Sequence, residues 1–221
     1  MLPKLLTEFV GTFFLVLTIG LTVLGRSPFA SLAIGFVLAA MVFMGGHVSG
    51  GHYNPAVSLA VWLRGRMPAA EVGPYMGVQV LGGFLAALTA GLVYGQPLVV
   101  APAATAPLAA FILLELLFAM ILALVVLNVA TARGTDGNSF YGLAIGLTVM
   151  AGAYAAGPVS GGAFNPAVAL GPFLASAVQG GPTSGAHLLV YVLATLAGGA
   201  LAAGVFRLQN PSDRGPVSAG R

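Results

Sequence analysis

The chain is predicted to be an all-α membrane protein with six transmembrane helices and two re-entrant half-helices, folded as an inverted-topology repeat. Three observations predict this. Hydrophobic residues make up 58% of the 221 and charged residues only 6%, too little charge to keep a domain of this size in solution. The apolar residues gather in six runs of the length, about 20 residues, that crosses roughly 30 Å of hydrocarbon. Finally, the string Val-Ser-Gly-Gly-x-x-Asn-Pro-Ala-Val occurs twice, at 48–57 and 159–168. The similarity extends upstream: 31–57 and 142–168 align without a gap at 14 identities in 27 positions, so the chain is a duplicated unit.

The expected spans are 5–24, 29–46, 72–94, 107–131, 140–157 and 187–206, joined by short connections rich in Gly, Pro and Ser. The first resembles a signal peptide, but Glu8 interrupts its apolar run and no small-residue cleavage site follows, so it is expected to be retained. The whole of 1–221 reads as one transmembrane domain. Repeat 1 covers about 1–95, a linker about 95–106, repeat 2 about 107–208, and a disordered tail 209–221. Cations set the orientation. Lys4, Arg64, Arg66, Arg133, Arg207, Arg214 and Arg221 fall on one side and Arg26 alone on the other, which puts both termini in the cytoplasm. Each repeat holds three spans, an odd number, so the second enters the bilayer from the opposite side.

Two further apolar segments, 54–63 and 165–174, are ten residues each, or roughly 15 Å as helix, half a bilayer. Each opens with a helix-start signature, Asn54-Pro55-Ala56 and Asn165-Pro166-Ala167: Asn as N-cap and Pro in the first helical position. A Gly-Gly pair precedes each and lets extended backbone pass between helices. Such backbone survives at membrane depth only when buried in protein or lining a watery cavity. Inversion makes the two half-helices meet N-terminus to N-terminus near the midplane, and a pore follows. Each presents about half a positive elementary charge to the centre, which penalises cations, while Asn54 and Asn165 have N–H groups to offer a passing oxygen.

These paired boxes, together with Glu8 in the first span and Glu115 in the fourth, closely resemble the aquaporin or major intrinsic protein family across essentially the whole chain. The resemblance implies a passive channel for water and other small neutral solutes, with no cofactor, assembled as a homotetramer in the lipid bilayer. It implies that carbonyls of 46–53 and 157–164 line the path, and that Glu8 and Glu115 support the re-entrant loops by accepting from backbone amides, with His52 in the first loop. His52 and His47 have no third ligand nearby, so no metal site is expected. The family's outer selectivity filter maps onto Ile34, Ala153, Gly162 and Val168. Here the chain departs from the pattern: Val168 stands where the family usually carries arginine, and none of the four positions offers a side-chain donor. A wide, apolar outer constriction is expected.

That departure keeps a facilitator of glycerol, urea, ammonia or hydrogen peroxide open as an alternative. A coupled secondary transporter shares the inverted repeat and broken helices but needs a charge in the pore to bind its coupling ion. A closed, structural membrane protein would need bulky residues plugging the midplane. Three histidines and five acids form no nucleophile–base constellation, so an enzyme is not expected. The formal charge of +3 is scattered rather than gathered in a patch, which excludes nucleic acid as a partner. Without cysteine there are no disulfides or thiolate metal sites. The short termini and loops suggest a bacterial inner membrane.

Overall fold

Among the described residues the chain forms eight α-helices, several of them opening at a proline or ending at a glycine. The computed structural model describes residues 1–213, and over these it is all-helical, without strands. The helices are α1 Leu2–Leu24, α2 Ala30–Ser49, α3 Pro55–Leu63, α4 Ala69–Tyr94, α5 Leu108–Thr131, α6 Tyr141–Ser160, α7 Pro166–Val178 and α8 Gly185–Gln209. Six of them, all but α3 and α7, are long and apolar enough to cross a membrane. Their outer faces carry exposed apolar side chains such as Leu85, Leu113, Leu143 and Leu193, the reverse of a soluble surface.

The principal contacts pair α1 with α4 and α5 with α8 inside the halves, and α2 with α6 between them. The half-helices cross over: α3 packs on α8 and α7 on α4. Glycine makes both crossings possible. A Cβ on Gly83 would lie 2.7 Å from the carbonyl oxygen of Ala167, and one on Gly199 would overlap that of Ala56. Small residues thus let backbones touch where a membrane offers no hydrophobic drive between helices.

Several boundaries differ from expectation. α2 runs to Ser49 and α6 to Ser160, three residues past the predicted 46 and 157, even through Pro158. The helices stop only where Gly50 and Gly161 take left-handed φ of 91° and 87°, the usual glycine termination. Non-helical backbone is therefore confined to 50–53 and 161–164, not 46–53 and 157–164. α7 extends four residues beyond 174. The tail also begins later than expected. Gln209 belongs to α8, and Asp213 is buried against Arg64, Arg66 and Arg133. The rest of the predicted tail, 214–221, lies outside the described residues.

Candidate functional site

Both half-helices begin as the sequence predicts. Asn54 and Asn165 have extended backbone (φ −158° each), and their side-chain oxygens accept from Ala56 N at 2.8 Å and Ala167 N at 2.9 Å. Pro55 and Pro166 occupy the first helical positions, where no N–H is needed. Each cap stabilises its half-helix by about 1 kcal/mol.

The amide nitrogens then tie the halves together. Asn54 Nδ2 donates to the Phe164 carbonyl at 3.0 Å, and Asn165 Nδ2 donates to the Tyr53 carbonyl at 2.9 Å. Tyr53 and Phe164 make these carbonyls available by adopting left-handed backbone, φ 49° in both, an uncommon conformation for an aromatic residue. Their rings anchor the strain. Tyr53 is fully buried and donates to the Met41 carbonyl at 2.8 Å, while Phe164 packs on Phe118 with ring centres 5.2 Å apart. An amide has two N–H groups. One is used across the midplane, so each asparagine keeps one, and both asparagines line the same cavity.

Glu8 and Glu115, both fully buried, hold the re-entrant segments. Glu8 accepts from Ser49 Oγ (2.6 Å), His52 N (2.9 Å), Tyr53 N (2.7 Å) and Gln79 Nε2 (2.8 Å). Glu115 accepts from Ser160 Oγ (2.7 Å), Ala163 N (3.1 Å) and Phe164 N (2.7 Å). Burial of a carboxylate is costly unless its lone pairs are used, and here they are. Tyr75 donates to the Ser49 carbonyl and Tyr191 to that of Ser160, completing a matched pair of brackets.

The match breaks at one place. In the first half, Gln79 Nε2 donates to Ser58 Oγ at 3.0 Å, and Ser58 Oγ lies 3.1 Å from His52 Nδ1. The repeat equivalents of His52 and Ser58 are Ala163 and Ala169. Ser58 accepts from Gln79, and its hydroxyl shares a further hydrogen bond with His52 Nδ1. The sequence pointed to His52 but not to Ser58 or Gln79. The visible signals were a serine aligned with alanine between the repeats and one amide in the otherwise apolar span of α4.

A cavity of about 370 Å³ contains all four expected filter residues, Ile34, Ala153, Gly162 and Val168, together with both asparagines. A wider vestibule of about 1050 Å³ opens on the face where α1 begins, lined by Lys4, Arg66, Glu71, Arg133 and Asp136 among others. The two cavities share His52 and Val126 in their linings, so they adjoin at that point. No bulky side chain replaces the asparagines at the midplane. The 95–106 linker also reaches the pore: Leu98, Val99, Val100 and Ala101 line the outer cavity, a role its composition did not disclose.

Six helices of spanning length, two half-helices joined tip to tip and two adjoining cavities between them define the architecture of a polytopic membrane channel. Among known proteins, the model of the major intrinsic protein family matches residues 1–206, and the chain belongs to that family. It is a channel for water or small solutes and not an enzyme. Nodulin-26 of Glycine max is 34% identical over 98% of this chain and 81% of its own length. Aquaporin NIP1-1 of Zea mays is 34% identical over 94% and 74%. These relatives are plant proteins and lend no support to the expected bacterial source. The X-ray structure of an aquaglyceroporin from Plasmodium falciparum superposes with a TM-score of 0.84, covering 96% of this chain and 98% of that one. At 20% identity, that likeness is one of fold.

Proposed function

We propose that the channel conducts water together with small, neutral, weakly polar solutes, through an outer constriction formed by Ile34, Ala153, Gly162 and Val168. One observation carries this reading: all four residues line one cavity, and none has a side-chain hydrogen-bond donor. A polar filter rejects a solute that leaves its buried donors unpaired, whereas an apolar wall discriminates weakly. Selection against ions then rests on the midplane. There the N-termini of α3 and α7 face each other, each with about half a positive charge, and Asn54 and Asn165 keep one N–H apiece for a passing oxygen. The cation-rich face where α1 starts is assigned to the cytoplasm by the positive-inside rule. Family membership supports, as part of the same proposal, a homotetramer with one pore per subunit.

Stopped-flow light scattering on proteoliposomes tests this, comparing wild type with Val168→Arg under sucrose, then glycerol and urea gradients. Glycerol and urea flux in the wild type, lost in Val168→Arg while water flux remains, supports the reading. Fast water flux with glycerol and urea excluded from the wild type sinks it, since the midplane asparagines would then select alone.

A further inference from the structure

The 95–106 linker has no counterpart in the repeat, yet it supplies one wall of the outer pore. Its middle is pinned at both ends. Leu98 is buried at 1% exposure, and Ala103 N donates to the Val159 carbonyl at 3.0 Å. Between the pins, Val99, Val100 and Ala101 are irregular, and among the described residues their N–H groups make no backbone hydrogen bond. Ala101 lies directly behind the filter: a Cβ on Gly161, the neighbour of Gly162, would come within 2.6 Å of its carbonyl oxygen.

A second cavity, of about 240 Å³, lies on the far side of this segment. Phe173, Ser176, Leu188 and Tyr191 close it, and none of the four filter residues enters its lining. Val99, Val100 and Ala101 are the residues the two cavities share, so the partition between pore and side cavity is a single strand of backbone. Protein interiors packed to crystal density transmit force and resist displacement. A strand with space behind it and no backbone partners does not.

We propose that Val99–Ala101 is a fifth wall of the outer constriction and the one that yields, so that its retreat into the side cavity sets the largest solute the channel passes. Val100, which lines both cavities and packs against the core, is the side chain assigned to set the specificity of this wall. The inference rests on the wide-filter reading above and adds to it an elastic size limit.

The test uses the full chain in proteoliposomes with water, glycerol and the four-carbon polyol erythritol. Leu188→Phe fills the side cavity from the opposite wall without touching a filter residue. It is expected to cut flux of the largest permeant solute roughly tenfold, the effect of about 1.4 kcal/mol of added barrier, with water flux unchanged. Val100→Ala is expected to raise that same flux. Because the chain has no cysteine, Val100→Cys adds a single thiol, and a neutral thiol reagent is expected to slow permeation through it. The proposal is overturned if Leu188→Phe leaves every flux unchanged or slows water and polyols by the same factor, or if the modified thiol has no effect. Exclusion of glycerol by the wild type refutes the wide filter instead; the wall then requires that Val100→Ala admit glycerol, and falls if it does not.

Discussion

Arg64 and Asp213 form an ion pair of 2.9 Å between the C-cap of half-helix α3 and the segment after α8, with both side chains more than nine-tenths buried. The Arg64 guanidinium also lies over the Phe206 ring, 4.4 Å from its centre. Asp213 accepts from Arg133 N at 2.9 Å and faces the guanidiniums of Arg66 at 3.6 Å and Arg133 at 3.4 Å. One carboxylate thus holds three segments at the rim of the vestibule.

Asp213→Asn is expected to destabilise the protein by roughly 3 kcal/mol, because it leaves buried guanidinium charge uncompensated. Burial alone would raise the Asp213 carboxyl, but the Arg133 N–H and the Arg64 and Arg66 charges outweigh it and hold it below the usual carboxylate range. A depressed carboxyl contributes its stability in full above the ordinary range and loses it as pH falls through the lowered value. Thermal unfolding in detergent from neutral pH to about pH 3 is the measurement. The wild type should lose more stability over that interval than Asp213→Asn does.

Removing charge from the two loop-holding carboxylates is expected to cost unequally. Glu8→Gln turns one oxygen into a donor facing four donors, and Glu115→Gln does so facing three. Each orphaned buried N–H costs about 1–3 kcal/mol. Melting temperatures of the two purified variants should both fall, with Glu8→Gln the lower. Equal melting temperatures would mean that the Gln79 bond contributes nothing.

Two helical glycines on α8, five residues apart, should behave in opposite ways. A methyl on Gly199 meets the Ala56 backbone at the root of α3, while one on Gly204 meets nothing within 4 Å. Gly199→Ala is expected to cost about 1–3 kcal/mol by overpacking and to reduce flux. Gly204→Ala should be neutral or raise stability by up to about 1 kcal/mol through helix propensity. Melting temperature and water flux measured on both variants check this.

Asn54→Asp separates the asparagine's two tasks. The carboxylate still accepts from Ala56 N, so α3 stays capped, but the bond to the Phe164 carbonyl and the lumen donor are lost. A negative charge then sits where two helix N-termini exclude cations. Potassium conductance across planar bilayers is expected to rise about tenfold or more, corresponding to roughly 1.4 kcal/mol off the barrier. Unchanged conductance would show that the dipoles alone exclude ions.

Much of this was legible in the chain because the duplication prints each structural device twice. Asn54 and Asn165, Glu8 and Glu115, and the paired glycines all sit at matched places, and matched residues can be read against each other. What was not legible has no second copy or depends on folding at a distance. The approach of Asp213 to Arg64 joins residues about two-thirds of the chain apart. The Ser58–Gln79 relay exists only in the first half. The linker wall belongs to neither repeat. Helix ends at Ser49 and Ser160 escaped because hydropathy falls where glycine begins, whereas hydrogen bonding continues until glycine turns left-handed.

The crossed seating of the half-helices has a consequence for how the molecule is made. α3 is synthesised well before α8, yet α8 is its principal resting place. Until Gly199 arrives beneath Ala56, α3 lacks its principal seat and has only its lesser contacts with α4, α5 and α7. Open backbone at membrane depth is tolerable only with protein around it. The first half therefore waits on α8 to complete the seat of its own half-helix, so the two repeats are finished together rather than in turn.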